Sequence, residues 1–137
     1  MEFCKEYGFE DFINTLPQGY ATILGEEGIN LSGGQKQIIA LMRVLYKKPQ
    51  LLLLDEFTSA MDRKTEDFVL ELLKKLKKEI AIIFISHRLH SLRRLADKIY
   101  IIDKGNCDSY GDHEQLMESS NFYSQFWVDL SIENIKK

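Results

Sequence analysis

The chain has 137 residues, of which 45% are apolar and 28% charged, and its net charge is -3 at pH 7. These values are typical of a single soluble domain, and the small negative charge argues against a nucleic-acid partner or an anionic membrane surface. The apolar stretches at 51–54 and 80–85 are far shorter than the ~20 residues that cross a bilayer, so we expect a cytosolic chain without direct membrane insertion.

The first 50 residues predict helices joined by a loop-rich connection. An apolar face recurs over residues 2–16, with an interruption near Gly8, and predicts a short broken helix. Residues 17–30 contain three glycines and predict the connection. A second helix is predicted over 32–47, and Pro49 ends it. The two cysteines, Cys4 and Cys107, form no C-x-x-C pattern, so we expect buried or inert thiols.

Alternating strands and helices follow. Residues 51–54 and 80–85 are apolar without alternation, which predicts two parallel strands buried on both faces. The further predicted elements are a helix at 62–78, a helix at 89–96, a strand at 98–103, a turn at Gly105, a short strand pairing back at 106–110, a helix opened by an Asp112-x-x-Gln115 capping box at 112–119, and a helix at 122–130. This order predicts an α/β domain with a parallel sheet, whose ligands gather at the carboxyl ends of the strands.

The segment around which the site is built is LSGGQKQ at residues 31–37. Ser32 and Gln35 form an S-x-x-Q capping box, which by itself accounts for a helix start. The adjacent Gly33 and Gly34 fit a purely structural cap poorly, because each glycine costs about 1 kcal/mol in a helix relative to alanine. Bare backbone at the positive end of a helix dipole suits an anion, so we predict that this turn binds a phosphate.

An acidic pair follows the first predicted strand. Asp55 and Glu56 stand where a parallel sheet presents its ligands, and carboxylate, water and phosphate oxygens are what Mg²⁺ prefers. We interpret Asp55 as the metal-supporting residue and Glu56 as the base that orients or deprotonates an attacking water. The alternative is that the pair merely ends a strand and begins a turn.

Polar residues also follow the second strand. We interpret His87 as a hydrogen-bond donor to a terminal phosphate, so that its bond depends on whether this phosphate is present. The alternative is a structural histidine. A Ser86-His87 hydrolase pair is disfavoured because the chain lacks a G-x-S-x-G elbow. His90 and His113 are interpreted as structural. Asp62 is an N-cap candidate for the next helix.

Four motifs in this order resemble an ATP-binding cassette (ABC) ATPase, and flanking segments such as LPQGY at 16–20 and GDHEQL at 111–116 resemble those of its exporter type. The segments LSGGQ at 31–35, LLLLDE at 51–56, TSAMD at 58–62 and ISHRL at 85–89 resemble its signature, Walker B, D-loop and switch-histidine loop. Phe57, Met61 and the polar residues 107–110 depart from the usual pattern, and only the last put an element in doubt, the edge strand.

The resemblance implies roles for individual residues. Asp55 serves Mg²⁺, Glu56 the attacking water and His87 the terminal phosphate of ATP. Asp62 couples two sites across a dimer of nucleotide-binding domains. Ser32, Gly33, Gly34 and Gln35 form the turn that meets the terminal phosphate of a nucleotide bound to the opposite subunit.

The 137-residue sequence lacks one part of the family's site, since no G-x-x-x-x-G-K-[ST] occurs in it. The resemblance therefore implies the C-terminal half of a cassette: a partial P-loop NTPase (RecA-like) parallel sheet, without the P-loop strand, plus part of the ABC helical subdomain. Residues 1–47 are assigned to the helical subdomain and 48–137 to the core. Exposed strand faces and unpaired sheet edges are expected to follow.

Three functions are weighed. The leading one is the partial ATP-binding, ATP-hydrolysing domain of an exporter, which acts with a transmembrane domain at the inner face of the membrane and is inactive as an isolated chain. A non-catalytic interaction module, which completes a partner's ATP site or folds with a complementary half-cassette, is the alternative. A chromosome or repair ATPase is disfavoured because no heptads or basic stripe accompany the signature.

Overall fold

The computed structural model describes residues 1–25 and 30–135. They divide into two compact units, Met1–Ile85 and Ser86–Lys137. Part of the predicted connection, at 26–29, lies outside the described residues. The predicted division at residue 47 into helical and core parts stays a prediction.

The first unit begins with three helices: α1 (Glu2–Glu6), α2 (Glu10–Asn14) and, after a 3₁₀ turn at Gly19–Ala21, α3 (Gly33–Tyr46). The predicted break near Gly8 is confirmed, since this residue has a φ of +74°. Glycine takes this left-handed conformation without the penalty that a Cβ brings. The fully buried Phe9 follows it and packs edge-on against the Phe68 ring at 5.8 Å between centroids.

Two parallel strands complete this unit, joined through a helix. They are β1 (Leu51–Asp55) and β2 (Ala81–Ile85), with α4 (Arg63–Leu76) between them. The register places Leu51 opposite Ala81 and Asp55 opposite Ile85. The parallel pairing and the apolar helix face are therefore confirmed; the buried residues of α4 are Val69, Leu70, Leu72, Leu73 and Leu76.

The prediction that both faces of these strands are buried is wrong. Leu52 and Leu54 are 3% and 4% exposed, but Leu51 and Leu53 are 54% and 63% exposed. On β2 the exposed residues of the same face include Ile83 and Ile85. An apolar run without alternation predicts burial on two sides only if other chain segments cover both, and among the described residues this face stays about half exposed or more. The expected exposure of apolar strand faces is confirmed.

The second unit contains α5 (Leu89–Leu95), β3 (Ile99–Asp103), β4 (Asn106–Gly111), α6 (His113–Met117) and α7 (Phe122–Ile135). The strands pair antiparallel, which confirms the short return strand, but β3 does not extend the parallel sheet as the α/β pattern predicted. Lys104 and Gly105 join the strands with φ values of +47° and +78°. Two successive positive φ values are those of a type I′ hairpin turn, whose twist suits antiparallel strands.

An aromatic cluster forms the core of this unit. Tyr123 is fully buried, and its hydroxyl lies 2.9 Å from Nδ1 of His113. Burial raises the pKa of the Tyr123 phenol above its ordinary value. The Trp127 ring meets His90 edge-on at 4.8 Å and carries the Arg93 guanidinium 5.0 Å above it. The contacts of His90 and His113 agree with the structural roles predicted for them.

No helix in the described ranges is both long and apolar enough to pass through a bilayer.

Candidate functional site

The start of α3 is built as the sequence predicts. The Ser32 N–H donates to Oε1 of Gln35 at 2.8 Å, and the Gln35 N–H donates to the Ser32 hydroxyl at 3.2 Å. This capping box uses two of the N–H groups that a helix start leaves without intrahelical partners. Within 1–25 and 30–135, the N–H groups of Gly33 and Gly34 have no hydrogen-bond partner. Two backbone donors at the positive end of a 14-residue helix thus lack a protein acceptor, one on the exposed Gly33 and one on the buried Gly34.

The glycines also have a packing role, which corrects the argument that a structural cap has no need of them. A Cβ on Gly33 would lie 3.0 Å from the Ala60 Cβ. A Cβ on the buried Gly34 would lie 3.2 Å from the Ala60 carbonyl oxygen and 3.4 Å from the Met61 Cα. The turn before α4 therefore approaches the first turn of α3 so closely that side chains would be crowded at both positions.

The acidic pair lies at the carboxyl end of β1, as predicted. Asp55 is the last strand residue, and its side chain is exposed. Glu56 is half-buried, and its N–H donates to the Ile85 carbonyl at 2.9 Å. Its φ of +46° is unfavourable for a residue with a Cβ, so the backbone holds this carboxylate in a strained conformation.

The carboxylates suit magnesium chemistry. The residues that the structure describes contain no group of three or more His, Cys, Asp or Glu able to hold a metal. Mg²⁺ does not require such a group, because it commonly binds through one or two carboxylates while water and substrate phosphates supply the other oxygens. The exposed carboxylate of Asp55 fits that mode of binding.

The turn from Glu56 to Asp62 is held by its own hydrogen bonds. The Ser59 N–H donates to the Glu56 carbonyl at 3.1 Å, and the Met61 N–H donates to the Thr58 carbonyl at 3.1 Å. At its end Asp62 caps α4, accepting the Thr65 N–H at 3.0 Å and the Thr65 hydroxyl at 2.9 Å. These two hydrogen bonds hold the pKa of Asp62 below its ordinary value of 3.8, and the bond from the Thr65 N–H has the larger effect. The predicted N-cap is confirmed, and the coupling role stays a prediction.

The predicted site residues are divided between the two units. The capping box, the glycine pair, the acidic pair and Asp62 all belong to Met1–Ile85. His87 belongs to the second unit, where its side chain is exposed in the loop before α5. In that loop the Arg88 N–H donates to the Ser86 hydroxyl at 3.0 Å, which fixes the residues on either side of His87 relative to each other.

Sequence reasoning missed the packing role of Ala60 and Met61. Met61 is 6% exposed and therefore belongs to the core of its unit. The sequence signal for this packing is the pair of neighbouring glycines, Gly33 and Gly34. It indicates that another part of the chain or a ligand approaches the start of α3 closely, but it does not identify which.

Comparison with known proteins supports the family resemblance. Residues 4–59 match a family model described as ABC transporter. An ABC multidrug transporter of Aspergillus fumigatus is 41% identical over 96% of this chain and 10% of that protein. A putative export ATP-binding/permease protein of Rickettsia bellii is 40% identical over 96% of this chain and 23% of that protein. A bacterial Atm1-family ABC exporter with ATP bound has a TM-score of 0.81 at 37% identity, over 95% of this chain and 23% of that one.

These matches identify the chain as part of the nucleotide-binding domain of an ABC transporter. Multidrug transporters and exporters are among the relatives, and the domain is accordingly of the exporter type. The chain spans 10% to 23% of the length of the proteins named above. Nucleotide binding in general follows from the family, and it points to ATP as the ligand.

Proposed function

We propose that the chain forms part of an ATP-binding and ATP-hydrolysing domain that couples hydrolysis to transmembrane export. The unpartnered N–H groups of Gly33 and Gly34 at the start of α3 support this proposal most directly. Together with the Ser32 hydroxyl and the Gln35 side chain, they meet the terminal phosphate of ATP bound to the opposite subunit. The capping box keeps the turn in one conformation before the phosphate arrives.

The residues to which we assign roles in hydrolysis lie at or just after the ends of β1 and β2 and at the start of α4. Asp55 supports Mg²⁺, which neutralises phosphate charge when bound. Glu56 orients and deprotonates the attacking water, and its strained backbone supports a functional assignment. His87 donates a hydrogen bond to the terminal phosphate, and Asp62 couples the two sites of the dimer.

The assembly that we propose has two partners. One is a second nucleotide-binding domain, whose P-loop holds the phosphates of ATP. The signature turn of this chain completes that ATP site. The other is the transmembrane domain of the exporter, which keeps the chain on the cytoplasmic side at the inner face of the membrane. No G-x-x-x-x-G-K-[ST] occurs in the 137 residues, so we expect negligible ATP hydrolysis by the isolated chain.

The test pairs this chain with an exporter nucleotide-binding domain that has an intact P-loop but a disabled signature turn. We expect no phosphate release from either protein alone and ATP-dependent release from the mixture. Replacing Ser32 with arginine in this chain should abolish the gain, because the hydroxyl that caps α3 is lost and a much longer side chain stands at the start of the helix. Glu56→Gln should leave the gain unchanged, because this chain has no P-loop to hold a nucleotide beside Glu56.

Two results would contradict the proposal. Robust turnover by the isolated chain, lost in Glu56→Gln, would show that it needs no P-loop partner. A partner whose ATP affinity and turnover are both unchanged by the chain would show that the signature turn completes no site.

A second candidate function rests on the exposed face of the β1–β2 sheet. Leu51, Leu53, Ile83 and Ile85 lie side by side on that face, and all four are about half exposed or more. We propose as the alternative that the chain is a non-catalytic module, which folds against a complementary half-cassette through this face. Light scattering should then show self-association of the chain alone and one defined complex with the complementary half. A stable, monodisperse monomer that does not bind the complementary half-cassette would contradict this alternative.

A further inference from the structure

The approach of Ala60 and Met61 to the glycine pair has a consequence for the phosphate site. Helix α3 begins at Gly33, and the crowding of positions 33 and 34 comes from the turn that precedes α4. Folded interiors are close-packed and yield little, so contacts of this kind set the position of one element against another. The N–H groups of Gly33 and Gly34 move with the first turn of α3, and its position decides where they point.

We propose that Ala60 and Met61 are positioning residues for the phosphate-binding turn. Their packing fixes the position of the first turn of α3, and this position sets the orientation of the two unpartnered N–H groups. This inference rests on the proposed function, because it assumes that those groups bind phosphate. It also means that positions 33 and 34 require glycine for packing against Ala60 and Met61, independently of the space that a ligand needs.

The turn is suited to this role because both of its ends are anchored. Its start is tied at Glu56, whose N–H is bonded to β2 and whose carbonyl accepts the Ser59 N–H. Its end is tied at Asp62, which caps α4. A displacement of Ala60 or Met61 would therefore be transmitted to the proposed catalytic carboxylate on one side and to the α4 cap on the other.

The two glycines face different atoms, and this difference gives a matched experiment. Gly33 faces the methyl carbon of Ala60, which Ala60→Gly removes. Gly34 faces the Ala60 carbonyl oxygen and the Met61 Cα, which are backbone atoms that no substitution removes. A steric defect in Gly33→Ala should therefore be repaired by Ala60→Gly, whereas the same defect in Gly34→Ala should persist.

The probe is inorganic tripolyphosphate, titrated into the ¹⁵N-labelled 137-residue chain while the backbone amide resonances of α3 are followed. We expect Gly33→Ala to weaken binding by about fivefold, which corresponds to ~1 kcal/mol, and the double variant with Ala60→Gly to return to within about twofold of the parent. The dissociation constant for Gly34→Ala should be raised with or without Ala60→Gly. Urea unfolding of each variant corrects the apparent affinity for the folded fraction.

The outcomes separate the inference from the function on which it rests. Restored binding in the Gly33→Ala, Ala60→Gly double variant supports positioning by Ala60. Weak binding that Ala60→Gly leaves unchanged, or no loss in Gly33→Ala, would overturn the inference and leave the phosphate site standing. If the parent chain binds no tripolyphosphate, with no shift at the Gly33 and Gly34 amides, the proposed role of the turn fails and the inference fails with it.

Discussion

The strained backbone at Glu56 leads to a prediction about stability. Its φ is +46°, in the left-handed region, where a residue with a Cβ pays roughly 1–2 kcal/mol. The perturbation compares Glu56→Gly with Glu56→Ala, so that the lost carboxylate contacts are the same in both variants and only the Cβ differs. Replacing alanine with glycine also frees the unfolded chain, at a cost of about 0.4–1 kcal/mol. The difference between the middle values of these ranges leaves Glu56→Gly more stable than Glu56→Ala by about 0.8 kcal/mol.

The assay is urea denaturation followed by far-ultraviolet circular dichroism, and its control is a glycine substitution at a helical site. Ala40 is exposed within α3, where a glycine should cost about 1 kcal/mol. The same change from alanine to glycine thus has opposite signs at positions 56 and 40. Equal destabilisation at both positions would refute the argument that Glu56 is strained. The expected sign would mean that stability is sacrificed to hold this carboxylate in place.

Three further predictions concern burial and pH. In urea unfolding, Leu52→Ala should cost about 2–5 kcal/mol and Leu53→Ala less than about 0.5 kcal/mol, since only Leu52 is buried; equal losses would contradict the one-sided sheet. Cys107 is exposed and Cys4 buried, so a thiol reagent should label Cys107 rapidly and Cys4 only at the rate at which the chain opens. Because the folded pKa of Asp62 is depressed, its contribution to stability is present above pH 3.8 and is lost as the pH falls through the folded value; a carboxyl titration by NMR with a midpoint at or above 3.8 would contradict this.

Local chemistry made much of the fold predictable. The capping boxes at Ser32 and Asp112 form as expected, because each depends on two residues three positions apart. The α4 stripe and the turn at Gly105 are likewise local signals, and they are confirmed. Helix α7 continues to Ile135, beyond its predicted end at residue 130, where the sequence carries no terminating signal.

Features that depend on distant chain segments could not be predicted in this way. Whether Leu51 and Leu53 are covered depends on what lies over the sheet, and the strand sequence reads the same in either case. The approach of Ala60 to Gly33 arises from tertiary packing between segments about 27 residues apart. The positive φ of Glu56 has no local signature either, since glutamate is not a residue that favours this region.

The aromatic core of the second unit has a practical consequence. Trp127 is the only tryptophan of the chain, and it lies between His90, His113 and Arg93. Its fluorescence is therefore an intrinsic probe placed in Ser86–Lys137, whereas far-ultraviolet circular dichroism follows the helices of both units. Recording the two signals during one denaturation shows directly whether the units unfold together or in separate steps.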